Sequence, residues 1–436
     1  MRRTAILLLT VLACGAFSRC GVMAQQPAGL TSARRAEHLA AFDQIWTTVR
    51  DRHYDPALNG VDWERGRRDL RPTVEAATTD DEARAAMNAL VDRLGQTHFN
   101  VIPRELFDLL GDGTAPFRGD AGIRVRVLDK AAIVTSVVPE SPASRLGVRP
   151  GWEIVRIGDI EVRPRLGKLV DELPETLLKR ADLAYAVESR LKGKVGETVR
   201  LECVAGDAKT QTVTMPLEVP QGVRTSVGNL PPVWVRTETR DLPDGIGYFA
   251  LSSFVNPVYV MGEFGKAVER FRKAPGLILD LRGNSGGAFN IVMGLLGWLV
   301  ADPDRQVGTV VQRALTLKIV VQPRPLPYAA SVAVLVDGLS MSASEVLAAA
   351  LQDTGRARVF GSRTAGAVLG SQVEKLPNGD RFQFAIADYV SVTGRRLEGH
   401  GVIPDAAVEL TRGDLVNGRD PVIDGAVEWI RQRRQQ

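Results

Sequence analysis

The sequence predicts a multidomain α+β protein, and three observations carry that reading. The chain has 436 residues, more than one hydrophobic core usually organises. Its apolar pattern changes twice: a helical period up to about residue 104, then short strands and turns to about residue 219, then strands alternating with helices. That last alternation is the mark of an α/β layer domain, whose loops at the strand C-termini usually hold a site. The expected divisions are a leader at 1–24, a helical region at 25–116, a β-rich module at 117–219 and an α/β domain at 220–436.

The leader reads MRRTAILLLTVLACGAFSRCGVMAQQ. Arginines precede an apolar run, and Val22, Met23 and Ala24 give the small-x-small pattern of a cleavage site, so the expectation is export, to a bacterial periplasm. The run is shorter than the roughly 20 residues a membrane-spanning helix needs. An alternative is a lipoprotein acylated at Cys14. The formal charge is +4, of which Arg2, Arg3 and Arg19 supply three, so +1 remains after cleavage. Such a balance points to no nucleic-acid partner. Cys14 and Cys20 leave with the leader, and Cys203, in the alternating VRLECVA, is left as a lone strand-core thiol.

In the helical region Leu39, Phe42, Ile45, Trp46 and Val49 line one face, and Met87, Leu90, Val91 and Leu94 line another. TDDE at 79–82 reads as a capping box that starts the second helix, which ends near Gly95. QTHFNV follows. His38 and His53, in or just after the first helix, are expected to be solvated.

The β-rich stretch contains GIRVRVLD, AAIVTSVV, EIVRIGDIEV, TVRLECVAG and TQTVTMPLEV. GIRVRV followed by VVPESPASRLGVRPGWEIVRIGDIEV resembles a PDZ domain. In such domains an extended peptide adds as a strand to the sheet edge, and amides of the preceding loop receive its terminal carboxylate. Here that loop is 119–122 running into Ile123, so Gly122 and Ile123 are the candidate peptide-binding residues. A spacer role for the module is the alternative.

In the α/β region IGYFALSSF is a strand, Met261, Phe264, Val268 and Phe271 line a helix, and GLILDLRGNSGG is a buried strand breaking into a glycine turn. Two strand-end turns stand out, LDLRGNSGG at 279–287 and VDGLSMSASEV at 336–346. Glycines let backbone amides approach a reacting group, and a serine opening a helix lies beside its free amides. Taken alone, glycines make turns and Ser342 with Glu345 makes a capping box.

The combination of DLRGNSGG, SASE at 342–345, GSRTAG at 361–366 and EGHGVIPD at 398–405, in that order, resembles the C-terminal processing (tail-specific) serine peptidases and their relative tricorn. The resemblance spans nearly the whole mature chain and implies a ClpP/crotonase-like peptidase core. It also implies that Ser342 is the nucleophile and that the amides of Gly287 and Ala343 form the oxyanion hole. Ser340 and Ser344 then shape the turn. The proton acceptor departs from the family: where tail-specific enzymes carry a lysine in a T-F-G-K-G turn, this chain has TAGAVLG, with alanine at 367. Lys375 lies further along.

Tricorn's Ser-His arrangement implies a substitute, with His98 as base, Thr97 beside it and Glu398 as the distal acid. A neutral imidazole accepts a serine proton near pH 7 because its ordinary pKa is about 6.5. His400 and Lys375 remain other candidates for the base. No spacing of His, Cys, Asp or Glu resembles a metal-ligand set, and no cofactor is expected. Two functions follow: an exported serine endopeptidase acting through an acyl-enzyme on polypeptides recognised by their C-termini, or an inactive peptide- or ligand-binding protein on a peptidase scaffold. The sequence fixes neither the substrate nor the oligomeric state.

Overall fold

A computed structural model describes residues 29–105, 118–226 and 232–435. The leader, Cys14 and part of the expected linker near 230 therefore lie outside the described residues. The fold is mixed α/β and multidomain, in two compact units.

The first unit takes the chain up to residue 105 together with 312–315 and 370–387. Its helices are Ser32–Arg52, Trp63–Ala76 and Asp80–Asp92. Phe42, Ile45, Val49, Met87, Leu90 and Val91 are buried between them, as their spacing requires. The middle helix was not foreseen, so TDDE opens the third helix and not the second. Its box is also shifted: the Thr79 hydroxyl accepts from Glu82 N at 3.1 Å, while the Glu82 carboxylate accepts from Thr78 N at 2.7 Å. Trp46 and Trp63 exchange indole-to-carbonyl bonds of 3.3 and 3.0 Å across the first two helices.

Both helical histidines are buried, contrary to expectation. His38 Nε2 is 2.7 Å from Asp80 and its Nδ1 is 3.0 Å from Asn378. His53 Nε2 is 2.8 Å from Gln96, and its ring stacks on Tyr54 and Phe99. The His53 Nδ1 lies beside the Asp55 backbone, 2.9 Å from its carbonyl, so each ring has polar partners at both nitrogens, which makes its burial tolerable.

The second unit holds a β-rich module and an α/β layer. In the module Ile123–Leu128, Ala131–Val137, Glu153–Ile157, Thr198–Val204 and Thr210–Pro216 pair antiparallel in that order. The helices Val162–Glu172 and Lys179–Ser189 add Leu166, Leu183, Ala184 and Val187 to its core. Cys203 is buried there, and burial pushes its thiol up to about 12.

The layer's sheet runs Thr237–Asp241, Gly247–Leu251, Gly276–Asp280, Ser331–Val336, Ala357–Gly361, Ala406–Ala407, parallel from the second strand onward. Pro257–Arg270, Phe289–Leu299 and Ala343–Asp353 pack on one face. Pro421–Gln435 covers the other. Burial on both faces explains why GLILD and SVAVLV are apolar almost throughout. Because Asp280 pairs with Leu335 in register, the two turns suspected from the sequence leave the sheet side by side.

Candidate active site

The first turn is built from its own motif. Asp280 accepts from Tyr248 Oη at 2.8 Å and from the Arg282 guanidinium at 2.6 Å, and Arg282 reaches on to Asp420. Asn284, fully buried, donates to Leu251 O at 2.7 Å and accepts from Gly286 N at 2.8 Å, which bends the loop. Its carbonyl accepts from Met341 N and from Ser344 Oγ of the second turn. Gly286 has φ 92°, and a Cβ there would stand 2.7 Å from Ser342 Cβ. The glycine is thus needed for both its backbone and its closeness to the serine.

The second turn holds Ser342 at φ 54° and ψ −116°, a left-handed conformation that costs a non-glycine residue about 1–3 kcal/mol. The surroundings impose it. Ser342 N donates both to Ala367 O at 2.8 Å and to Glu345 at 3.0 Å. Ser340 and Ser344, both buried, give their hydroxyls to the carbonyls of Leu281 and Asn284. The amides of Gly287 and Ala343 have no hydrogen-bond partner among the described residues, as an anion-binding pair requires. Ala343 opens an 11-residue helix, so its N–H has no partner within the helix either.

Glu345 is the residue whose role the sequence understated. Its carboxylate is fully buried and takes four donors: Thr364 Oγ1 at 2.5 Å, Gly366 N at 2.8 Å, Ala367 N at 2.9 Å and Ser342 N at 3.0 Å. Burial pushes its pKa up to about 7, against the pull of those donors. It therefore clamps the serine's turn to the GSRTAG turn as well as capping a helix. Thr364 in turn accepts from Val402 N at 2.6 Å, which ties in EGHGVIPD.

Asp337 and Arg126 were also missed. Asp337 accepts from Gly283 N at 2.9 Å and Leu339 N at 3.0 Å, one amide from each turn, and from Arg126 Nε of the β-rich module at 2.8 Å. The signal for Asp337 was an acid ending an apolar strand; nothing local marked Arg126.

The other predicted residues divide between the units. Glu398 accepts from Val368 N at 3.0 Å, one residue beyond the Ala367 that accepts from Ser342. His400 is exposed, with Nδ1 2.8 Å from the Glu398 carbonyl. Thr97, His98 and Lys375 belong to the first unit. There His98 has φ 62°, and the Thr97 hydroxyl lies 2.7 Å from its Nδ1. The imidazole is closely surrounded, and that loss of hydration pushes its pKa down to about 4. Lys375 is exposed. Among the described residues no group of three or more His, Cys, Asp or Glu could hold a metal ion, and no helix is long and apolar enough to cross a membrane.

A serine held in a strained turn at a parallel sheet's C-terminal edge, beside two unbonded amides, is the arrangement of a hydrolase that attacks carbonyl groups. Comparison with known proteins narrows this class. Residues 245–408 match the model of peptidase family S41, and residues 34–91 match the tricorn protease C1 domain. The carboxyl-terminal-processing protease of a Picosynechococcus species is 27% identical, over 84% of this chain and 82% of that one. Carboxyl-terminal-processing peptidase 3, chloroplastic, of Arabidopsis thaliana is 26% identical, over 85% of this chain and 68% of that one.

Among solved structures, the photosystem II D1 C-terminal processing protease aligns with TM-score 0.56 and 22% identity, over 87% of this chain and 94% of that one. Mature CPAF aligns with TM-score 0.59 and 15% identity, over 92% and 97%. These two likenesses speak for the fold. Residues 245–408 thus form a peptidase family S41 domain, relatives of the chain are named carboxyl-terminal-processing peptidases, and the chain is a serine-type endopeptidase.

Proposed function

We propose that the chain is an exported endopeptidase working through a Ser-His mechanism in place of the family's serine and lysine. Ser342 attacks the scissile carbonyl and His98 takes its proton. Thr97 fixes the imidazole, Glu398 is the distal acid, and the amides of Gly287 and Ala343 receive the oxyanion. The β-rich module acts as a PDZ-like reader of polypeptide C-termini at Gly122 and Ile123, and the α/β layer as a ClpP/crotonase-like core. The leader directs export, through cleavage after Ala24 or acylation at Cys14.

The observation that carries the reading is the 2.7 Å contact between the Thr97 hydroxyl and His98 Nδ1. With the proton assigned to Nδ1, that nitrogen donates to Thr97 and Nε2 is left as the acceptor a hydroxyl nucleophile needs. Ala367 supports it from the other side: the motif resemblance sets it at the family's lysine position, and its buried methyl takes no proton.

Labelling with a fluorophosphonate tests the scheme. The native chain and Lys375→Ala should label, while Ser342→Ala and His98→Ala should not. Labelling that survives in His98→Ala and disappears in Lys375→Ala or His400→Ala would move the base to that residue.

A further inference from the structure

Strand Ile123–Leu128 is an edge of the module's sheet, with Ala131–Val137 as its one neighbour. An edge strand offers unpaired N–H and C=O groups to an added chain. Here those of Val125 are already taken. Val125 N donates to the buried Glu188 carboxylate at 2.8 Å, and Val125 O accepts from Arg126 Nη1 at 3.0 Å. In the loop before the edge, Gly122 N donates to Asp120 Oδ1 at 2.6 Å, and the amides of Asp120 and Ala121 go to Glu218 O and Leu191 O. Arg124 closes the set, reaching both the Ile123 carbonyl at 3.0 Å and Asp120 Oδ2 at 3.2 Å.

An incoming strand would place a carbonyl at Val125 N, an N–H at Val125 O, and a terminal carboxylate at Gly122 N. The chain's own side chains occupy all three positions with the same chemistry: a carboxylate at each amide and a guanidinium at the carbonyl. Hydrogen bonds to charged groups are about twice as strong as neutral ones, so these are effective competitors.

We propose that the module is a self-occupied peptide groove, in which Glu188, Arg126 and Asp120 stand in for an extended polypeptide ending in a free carboxylate, and that such a polypeptide binds by displacing Glu188 and Asp120. This rests on the PDZ-like reading above. A groove that must first open binds with an affinity reduced by its open fraction, so removing the internal carboxylates strengthens capture.

The test uses the full chain carrying Ser342→Ala and a fluorescein-labelled decapeptide with an apolar, free-carboxylate C-terminus, read by anisotropy. Asp120→Asn/Glu188→Gln should bind it about tenfold more tightly than the parent, with a smaller gain for the C-terminally amidated peptide. Should the double variant fail to fold on thermal unfolding, Glu188→Gln alone should give about a threefold gain. Equal affinities in parent and variants would overturn the self-occupation and leave the groove reading standing. Absence of binding in every variant would overturn the groove reading and the proposal together.

Discussion

The Glu345 carboxylate lies 3.0 Å from the amide nitrogen of Ser342 and 2.8 Å from that of Gly366, so one buried side chain holds the serine's turn against the turn that follows the next strand. Glu345→Gln keeps the shape but turns an NH₂ group toward donors. Labelling of Ser342 should fall by about 10²-fold, the loss expected when a reacting group is misplaced by about 1 Å. Single-turnover fluorophosphonate labelling of folded protein checks this; an unchanged rate would leave Glu345 as a helix cap alone.

The same carboxylate sets the expected pH response. Protonated Glu345 presents an O–H to a site made of donors, so the clamp loosens as pH falls through about 7. His98, with its pKa pushed down to about 4, stays neutral well below that. Labelling should therefore rise with pH around a midpoint near 7. Thr364→Val, which removes one donor favouring the carboxylate, should move the midpoint upward. A midpoint near 4 to 5 that ignores Thr364→Val would assign the acid limb to the imidazole.

His98 also has a stability consequence. Between pH 6.5 and about 4 the unfolded chain takes up a proton that the folded chain excludes, so this contribution is present above pH 6.5 and is lost as pH falls. Thermal unfolding should show a smaller drop in Tm across that window for His98→Ala than for the parent. An identical drop in both would mean that the ring titrates alike folded and unfolded.

Gly286→Ala tests the closeness of the two turns. A Cβ there meets Ser342 Cβ at 2.7 Å and the backbone of Met341 at 2.8 Å, and φ 92° disfavours any side chain. Labelling should drop by about 10²-fold in protein that still unfolds cooperatively. Wild-type labelling would mean that the glycine turn does not approach the serine this closely in solution.

Arg126 and Asp337, each with 17% of its side chain exposed, form an ion pair joining the β-rich module to both turns. Burial alone would raise the Asp337 pKa, but Arg126 and the amides of Gly283 and Leu339 hold it below the usual carboxylate range. Arg126→Met should cost roughly 3–5 kcal/mol by leaving a buried charge unpaired, and Arg126→Met/Asp337→Asn should recover much of it. Denaturant unfolding of all four proteins checks the cycle; additive losses would show that the pair is not coupled.

What the sequence determined by itself was local. Apolar runs at 277–281 and 332–336 announce strands covered on both faces, and the glycines of DLRGNSGG announce a turn, because burial and φ are properties of the residues at those positions. The strands of the β-rich module were legible in the same way. Helix Trp63–Ala76 was not, since Pro72 lies within it and only Trp63, Gly66 and Val74 are buried. The partners of buried polar groups were beyond reach too. His38 finds Asp80 and Asn378, 42 and 340 positions away, and three of the four donors to Glu345 come from a turn about 20 residues on. Tertiary structure alone decides such pairings, because a buried polar group takes whichever donor or acceptor the packing delivers, and sequence spacing carries no record of that delivery.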